Sequence, residues 1–155
     1  PDAVKFLISL GVKKFKIASR TCIFTDPNSL EVLQEKARSK KEIFISMGMG
    51  GNKKKISKIF ENNKTTFCYC ISDYPLNFDK INWIDAVKYD GFSDHTMDIV
   101  APILFTLLKK QKKSRKIYIE KHVKMINSGG PDASTSISTE KLSEMVKRIR
   151  MIEKM

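Results

Sequence analysis

The stretch Ile117-Tyr118-Ile119-Glu120-Lys121-His122 reads as a β-strand that ends in chemistry, with Gly130-Pro131-Asp132 following as a loop. Alternation at period two sends Ile117 and Ile119 to one face and Tyr118, Glu120 and His122 to the other. A carboxylate and an imidazole therefore leave the strand end in one direction. The chain has two histidines. The other, His95, lies in Gly91-Phe92-Ser93-Asp94-His95-Thr96, again just beyond a short apolar run. Two histidines at strand ends, each beside a carboxylate, suit a shared metal ion, although on spacing alone a histidine is more often an ordinary surface or core residue.

Outward from this stretch the chain beats regularly between strand and helix. Alternating or apolar runs at residues 14–18, 43–46, 65–71 and 89–92 precede the one at 117–122 and recur about every 25 residues. Between them lie helical patterns. Residues 3–10 carry Val4, Leu7 and Ile8 at helical spacing and stop at Gly11, and Asp26-Pro27 reads as N-cap and first-turn proline of a helix to about residue 38. A polar helix over residues 52–61 follows the glycine-rich Met47-Gly48-Met49-Gly50-Gly51, and shorter and longer helices are predicted over 78–87 and 98–110. From residue 139 to the end, Leu142, Met145, Val146, Ile149 and Ile152 mark one face of an amphipathic helix.

Strands repeated at this interval with helices between them are parallel and joined by crossovers. Two architectures satisfy that pattern, an open doubly wound sheet and part of an eight-stranded barrel. The polar residues favour the barrel. Every strand ends in them: Ser19, Ser46, Ser72 with Tyr74, Asp94 with His95, and Glu120 with His122. An open sheet gathers its ligand at one switch point, whereas a barrel draws on the ends of many strands.

Composition narrows the function classes. Lys and Arg outnumber Asp and Glu by 29 to 17, giving a formal charge of +12. The basic runs, Lys53-Lys54-Lys55 and residues 109–116, lack the interleaved aromatics of a single-strand nucleic-acid platform and read as solvated faces. Nucleic acid is therefore not the expected partner. Cys22, Cys68 and Cys70 form no CxxC pair, and Cys68 and Cys70, two apart on a strand, read as small core residues of a protein in a reducing cytoplasm. No apolar run approaches the roughly 18 residues of a membrane span. The 155 residues suffice for a single domain, yet the chain opens Pro1-Asp2-Ala3-Val4 without an initiator methionine and reads as a portion of a longer protein.

The motifs Lys16-Ile17-Ala18-Ser19, Ile45-Ser46-Met47-Gly48-Met49, Cys70-Ile71-Ser72-Asp73-Tyr74-Pro75, Phe92-Ser93-Asp94-His95-Thr96, Glu120-Lys121-His122 and Gly130-Pro131-Asp132 resemble, in order and spacing, those of the sialic acid synthase family. Members of that family condense phosphoenolpyruvate with an N-acetylated hexose, such as N-acetylmannosamine, to give N-acetylneuraminic acid or a related nine-carbon 2-keto acid, with release of phosphate. The resemblance implies an α/β fold in which the chain supplies strands four to eight of a (β/α)8 barrel. The first three strands and a C-terminal antifreeze-like domain would lie outside it. It further implies that His95 and His122 bind a divalent metal, Mn2+ or Mg2+. Lys16, Ser19, Ser46, Ser72 and Ser93 would hold the phosphate and carboxylate of phosphoenolpyruvate, Tyr74 and Asp132 would touch the sugar, and Glu120 would transfer a proton. Lysine as a point charge and serine hydroxyls as neutral donors suit a phosphate independently of the resemblance. The full-length protein would be a homodimer.

Three departures stand out. Thr21 occupies the place of a family glutamate that helps to bind the sugar, Met47 that of a threonine and Ser72 that of an asparagine. The first puts the sugar's identity in question. A part-barrel also leaves sheet edges open near Lys14 and Ile117. The alternative expectation is thus a catalytically inactive fragment or pseudoenzyme that acts by binding partners.

Overall fold

The computed structural model describes residues 2–113, 116–126 and 128–155, so the basic run 109–116 falls partly outside the described residues. The chain divides into two compact units, Pro1–Cys68 and Tyr69–Met155.

In the first unit, helix α1 (Asp2–Ser9) ends where Gly11 adopts a φ of 76°, a left-handed conformation that glycine takes without a Cβ clash. Strand β1 (Lys14–Ile17), a 3-10 turn over Ser19–Ile23, helix α2 (Ser29–Arg38), strand β2 (Glu42–Ser46), helix α3 (Lys53–Ile59) and strand β3 (Thr65–Cys70) follow. The two strand pairs are parallel, with Phe15 opposite Ile43 and Ile45 opposite Phe67. A strand paired on both sides and covered by helices is apolar throughout, and Ile43, Phe44, Ile45 and Ser46 are all buried. The core gathers Phe15, Ile17, Leu33, Ile43, Ile45 and Ile56.

Asp26-Pro27 does not open α2 as expected. The Asp26 carboxylate accepts from the Asn28 N–H at 2.8 Å and its carbonyl from the Ser29 N–H at 2.9 Å, so the pair builds a turn ahead of the helix. Lys53 to Lys55 lie on the exposed start of α3, as expected of a solvated face. Two of these ammoniums sit over aromatic rings, Lys53 at 4.8 Å from the Phe67 centroid and Lys55 at 3.8 Å from that of Phe24. Gly51 is required by close approach. A Cβ there would meet the Cys22 carbonyl oxygen at 2.8 Å and its Cβ at 2.9 Å. Gly51→Ala should accordingly cost about 1–3 kcal/mol of stability through overpacking, read as a lower urea midpoint.

The second unit continues with a 3-10 turn at Phe78–Lys80, helix α4 (Trp83–Ala86), strand β4 (Gly91–Asp94), helix α5 (Val100–Gln111), strand β5 (Tyr118–Lys121), strands β6 (Val123–Lys124) and β7 (Ile137–Ser138), and helix α6 (Thr139–Lys154). Strands β4 and β5 pair in parallel, with Ser93 opposite Glu120 and Asp94 opposite Lys121. The main sheet runs in the order β1-β2-β3-β4-β5. Its neighbours follow chain order, as successive βα units require.

The fourth strand starts later than its sequence pattern suggests. The N–H groups of Lys88 and Tyr89 bond back to Asp85 and Ala86 and prolong the turn after α4, so pairing begins at Gly91. Strands β6 and β7 form a separate parallel pair too short to carry a period. Lys109 departs from the solvated reading: it is buried on α5, with its ammonium 3.1 Å from Asp90 Oδ1 and 3.4 Å from the Val87 carbonyl. Phe92, Ala101 and Phe105 centre one apolar cluster, and Ile99, Ile137 and Met145 a second against α6. Cys22, Cys68 and Cys70 are all buried, Cys68 and Cys70 on β3 as expected of small core residues. Among the described residues, no helix is long and apolar enough to cross a membrane.

Candidate active site

Three of the five residues expected to hold phosphoenolpyruvate, Lys16, Ser19 and Ser46, lie at the C-terminal ends of β1 and β2 in the first unit, and Ser72 and Ser93 belong to the second. Lys16 is partly buried on β1, and its ammonium donates to Ser46 Oγ at 2.8 Å. Ser46, the last residue of β2, is itself buried. Ser19, also buried, opens the 3-10 turn beyond β1, and its hydroxyl accepts from the Gly48 N–H at 2.9 Å. A cation and two hydroxyls at adjacent strand ends are the kind of donors that an anion needs. Two neighbours of Lys16 are shifted mainly by burial. Burial lifts the Cys22 thiol to about 11 against the downward pull of the Lys16 charge, so it stays protonated and is no nucleophile. Lys36, whose ammonium donates to the Lys16 carbonyl at 3.2 Å, is held below its ordinary value, chiefly by burial and then by the Lys16 charge. Thr21 lies within the same 3-10 turn as Ser19.

In the second unit the two histidines come together. The ring centroids of His95 and His122 are 5.4 Å apart. Tyr74 packs against both, at 4.1 Å from His95 and 6.2 Å from His122. His95 is buried, and its Nδ1 lies 2.7 Å from the Ile71 carbonyl. A carbonyl only accepts, so Nδ1 carries the proton and Nε2 presents a lone pair. Burial is the main cause that holds this imidazole below its ordinary pKa; the Ile71 carbonyl opposes that and the His122 charge adds to it. His95 is thereby neutral at neutral pH, as a metal ligand must be. His122 is more open, with its side chain 34% exposed and Nδ1 3.8 Å from Asp132 Oδ2. Its carbonyl accepts from the Ile137 N–H at 3.0 Å, which ties the strand end to β7.

His122 and Asp132 line a cavity of about 350 Å³, together with Lys124, Ser128, Gly130 and Ser136. Glu120 stands opposite Ser93 in the β4–β5 register, and Ser93 is fully within the sheet. Ser72 is half-buried just past β3. Burial and the nearby Cys70, Asp132 and Glu120 raise the Tyr74 phenol, which keeps it a neutral hydrogen-bonding group.

The donor set fits a divalent metal in one respect that the geometry shows. An imidazole whose Nδ1–H is committed to a backbone carbonyl is oriented for coordination through Nε2. Among the described residues no cluster of three or more His, Cys, Asp or Glu gathers as a closed metal cage. The pair suits an open centre completed by water and substrate oxygens. Sequence reasoning passed over Lys121 and Thr96. Lys121 sits between two expected site residues, but its ammonium turns to a buried ion pair with Asp94 at 2.7 Å. The signal available was alternation, which places Lys121 on the face opposite Glu120 and His122.

Parallel strands with polar side chains at their C-terminal ends and a crossover helix after each define a protein of the (β/α)8-barrel class. Residues 1–155 match the model of the NeuB family, and the chain belongs to that family. It is 33% identical to an uncharacterised protein of Methanocaldococcus jannaschii over 98% of this chain and 46% of that one. It is 28% identical to the N-acetylneuraminate-9-phosphate synthase of Homo sapiens over 98% of this chain and 43% of the relative. Among solved structures, the N-acetylneuraminic acid (sialic acid) synthetase of Leptospira borgpetersenii in complex with citrate superposes with a TM-score of 0.80 at 25% identity, over 97% of this chain and 53% of that chain. The fold is accordingly that of a partial (β/α)8 barrel, and the family is one of sugar-acid synthases. The chain spans less than half the length of these curated relatives.

Proposed function

We propose that the whole protein of which these residues are part condenses phosphoenolpyruvate with an N-acetylated hexose, N-acetylmannosamine or a relative, to a nine-carbon 2-keto acid and phosphate. The observation that carries this reading is the pair His95 and His122, 5.4 Å apart between ring centroids, with the His95 Nδ1–H committed to Ile71. A divalent metal held by these two imidazoles, Mn2+ or Mg2+, would supply Lewis acidity to the aldehyde oxygen of the open-chain sugar.

The remaining roles fall to the chain's own groups. Lys16 and the hydroxyls of Ser19, Ser46, Ser72 and Ser93 hold the phosphate and carboxylate of phosphoenolpyruvate, as charge-assisted donors do. Tyr74 and Asp132 orient the sugar. Carbon 3 of phosphoenolpyruvate attacks the aldehyde carbon, water adds at carbon 2, and phosphate leaves by carbon–oxygen cleavage. Glu120 takes and returns the protons of these steps. Lys16 stabilises charge on the departing phosphate, most effectively where water is excluded.

The full-length protein incubated with manganese, phosphoenolpyruvate and N-acetylmannosamine should release phosphate and form one nine-carbon acid per phosphate, measured colorimetrically and by mass spectrometry. Thr21, at the place of the family's sugar-binding glutamate, makes a panel of N-acetylated hexoses part of that test. Binding of phosphoenolpyruvate and metal with no product from any sugar would establish the inactive, partner-binding reading instead.

A further inference from the structure

Beneath the two histidines lies a buried ion pair that no substrate role accounts for. The β4–β5 register sets Asp94 opposite Lys121, and each is the residue immediately before one of the histidines. Their side chains are 0% and 2% exposed, and Lys121 Nζ lies 2.7 Å from Asp94 Oδ2. Lys121 also donates to the Thr96 carbonyl. The Thr96 N–H donates to Asp94 Oδ1 and the Thr96 hydroxyl to Asp94 Oδ2, both at 3.0 Å. Asp94 and Thr96 thus bracket His95 in one hydrogen-bonded turn, and Lys121 fastens that turn to the strand that delivers His122.

A buried pair of this kind is no better for stability than well-packed apolar residues of similar volume, because desolvation offsets the Coulombic attraction. What it supplies is geometry. Each charge has fixed partners, so the two strand ends have one mutual setting. We infer that Asp94, Lys121 and Thr96 are positioning residues that hold the His95 and His122 imidazoles at the separation a divalent cation requires. The inference rests on the metal reading proposed above.

The test is the double variant Asp94→Leu with Lys121→Met in the full-length protein, which exchanges the pair for apolar side chains. It removes both charges together, so it should melt above Asp94→Ala although Thr96 loses its carboxylate acceptor, and it should bind Mn2+ about 10- to 100-fold more weakly in an electron paramagnetic resonance titration, the loss typical of removing groups that orient metal ligands. Wild-type Mn2+ affinity in the folded double variant overturns the inference. Should that variant not fold, Thr96→Val leaves the pair intact and removes only the bridging hydroxyl. Weaker Mn2+ binding by folded Thr96→Val then supports the inference, and unchanged binding overturns it.

If the wild-type protein takes up no manganese, the metal reading itself falls. Positioning is then read on the metal-free protein from histidine 15N shifts, assigned with His95→Gln and His122→Gln. A fixed Nδ1–H tautomer of His95 that becomes averaged in the double variant supports the role. Identical spectra overturn it.

Discussion

Replacing His122 by alanine in the full-length protein should abolish manganese-dependent phosphate release while leaving the fold intact. The side chain is 34% exposed, so its removal opens little interior space. Its loss leaves His95 as the single imidazole of the pair. If the metal contributes about 4 kcal/mol of charge stabilisation, activity falls by about a thousandfold, and bound manganese falls with it. His95→Ala should have the same effect on activity and cost stability as well, because His95 is buried and bonded to Ile71. Metal analysis, phosphate assay and thermal melting of the same samples separate the two outcomes. Full activity and full metal content in His122→Ala would refute the proposed centre.

The largest effect on stability should come from Asp94→Ala. The substitution leaves the Lys121 ammonium, 2% exposed, bonded to the Thr96 carbonyl, with the Asp98 carboxylate as a nearby charge but, among the described residues, no ion-pair partner in place of Asp94. Breaking a buried pair from one side costs about 3–5 kcal/mol. For a domain of about 150–250 residues that lowers the melting temperature by roughly 6–20 °C. A melting temperature within a degree of wild type would mean that water reaches Lys121 in solution. The contrast with the apolar double exchange is diagnostic, since one variant strands a charge and the other removes both.

Much of the fold was legible because parallel strands buried on both faces announce themselves. Ile43-Phe44-Ile45-Ser46 is a continuous apolar run that closes on a hydroxyl, and it is β2. The family register then marked the polar residues expected at the site, and the structure sets Lys16 beside Ser46 and His95 beside His122. The misreadings share a cause: each was a short-range pattern overruled by a partner distant in sequence or by local turn geometry. Asp26-Pro27 carries the letters of a helix start, but a turn consumes its acceptors first. The fourth strand was set two residues early because turn bonds to α4 leave no outward sign in composition. Lys109 looked like part of a solvated run, and only the fold reveals Asp90 beside it. Lys121 was hidden in the same way. A lysine between a glutamate and a histidine shows nothing of Asp94, 27 positions earlier.

The lysines that cap aromatic rings on the first unit bear on how the protein behaves in hand. With Lys53 over Phe67 and Lys55 over Phe24, part of the positive excess shields aromatic faces from water. Chemical treatments of lysine are consequently not equivalent. Reductive methylation keeps each charge and the rings stay covered, whereas acetylation removes the attraction and bares two phenylalanines. An acetylated preparation would gain sticky aromatic surface just as it loses the electrostatic repulsion that keeps molecules apart.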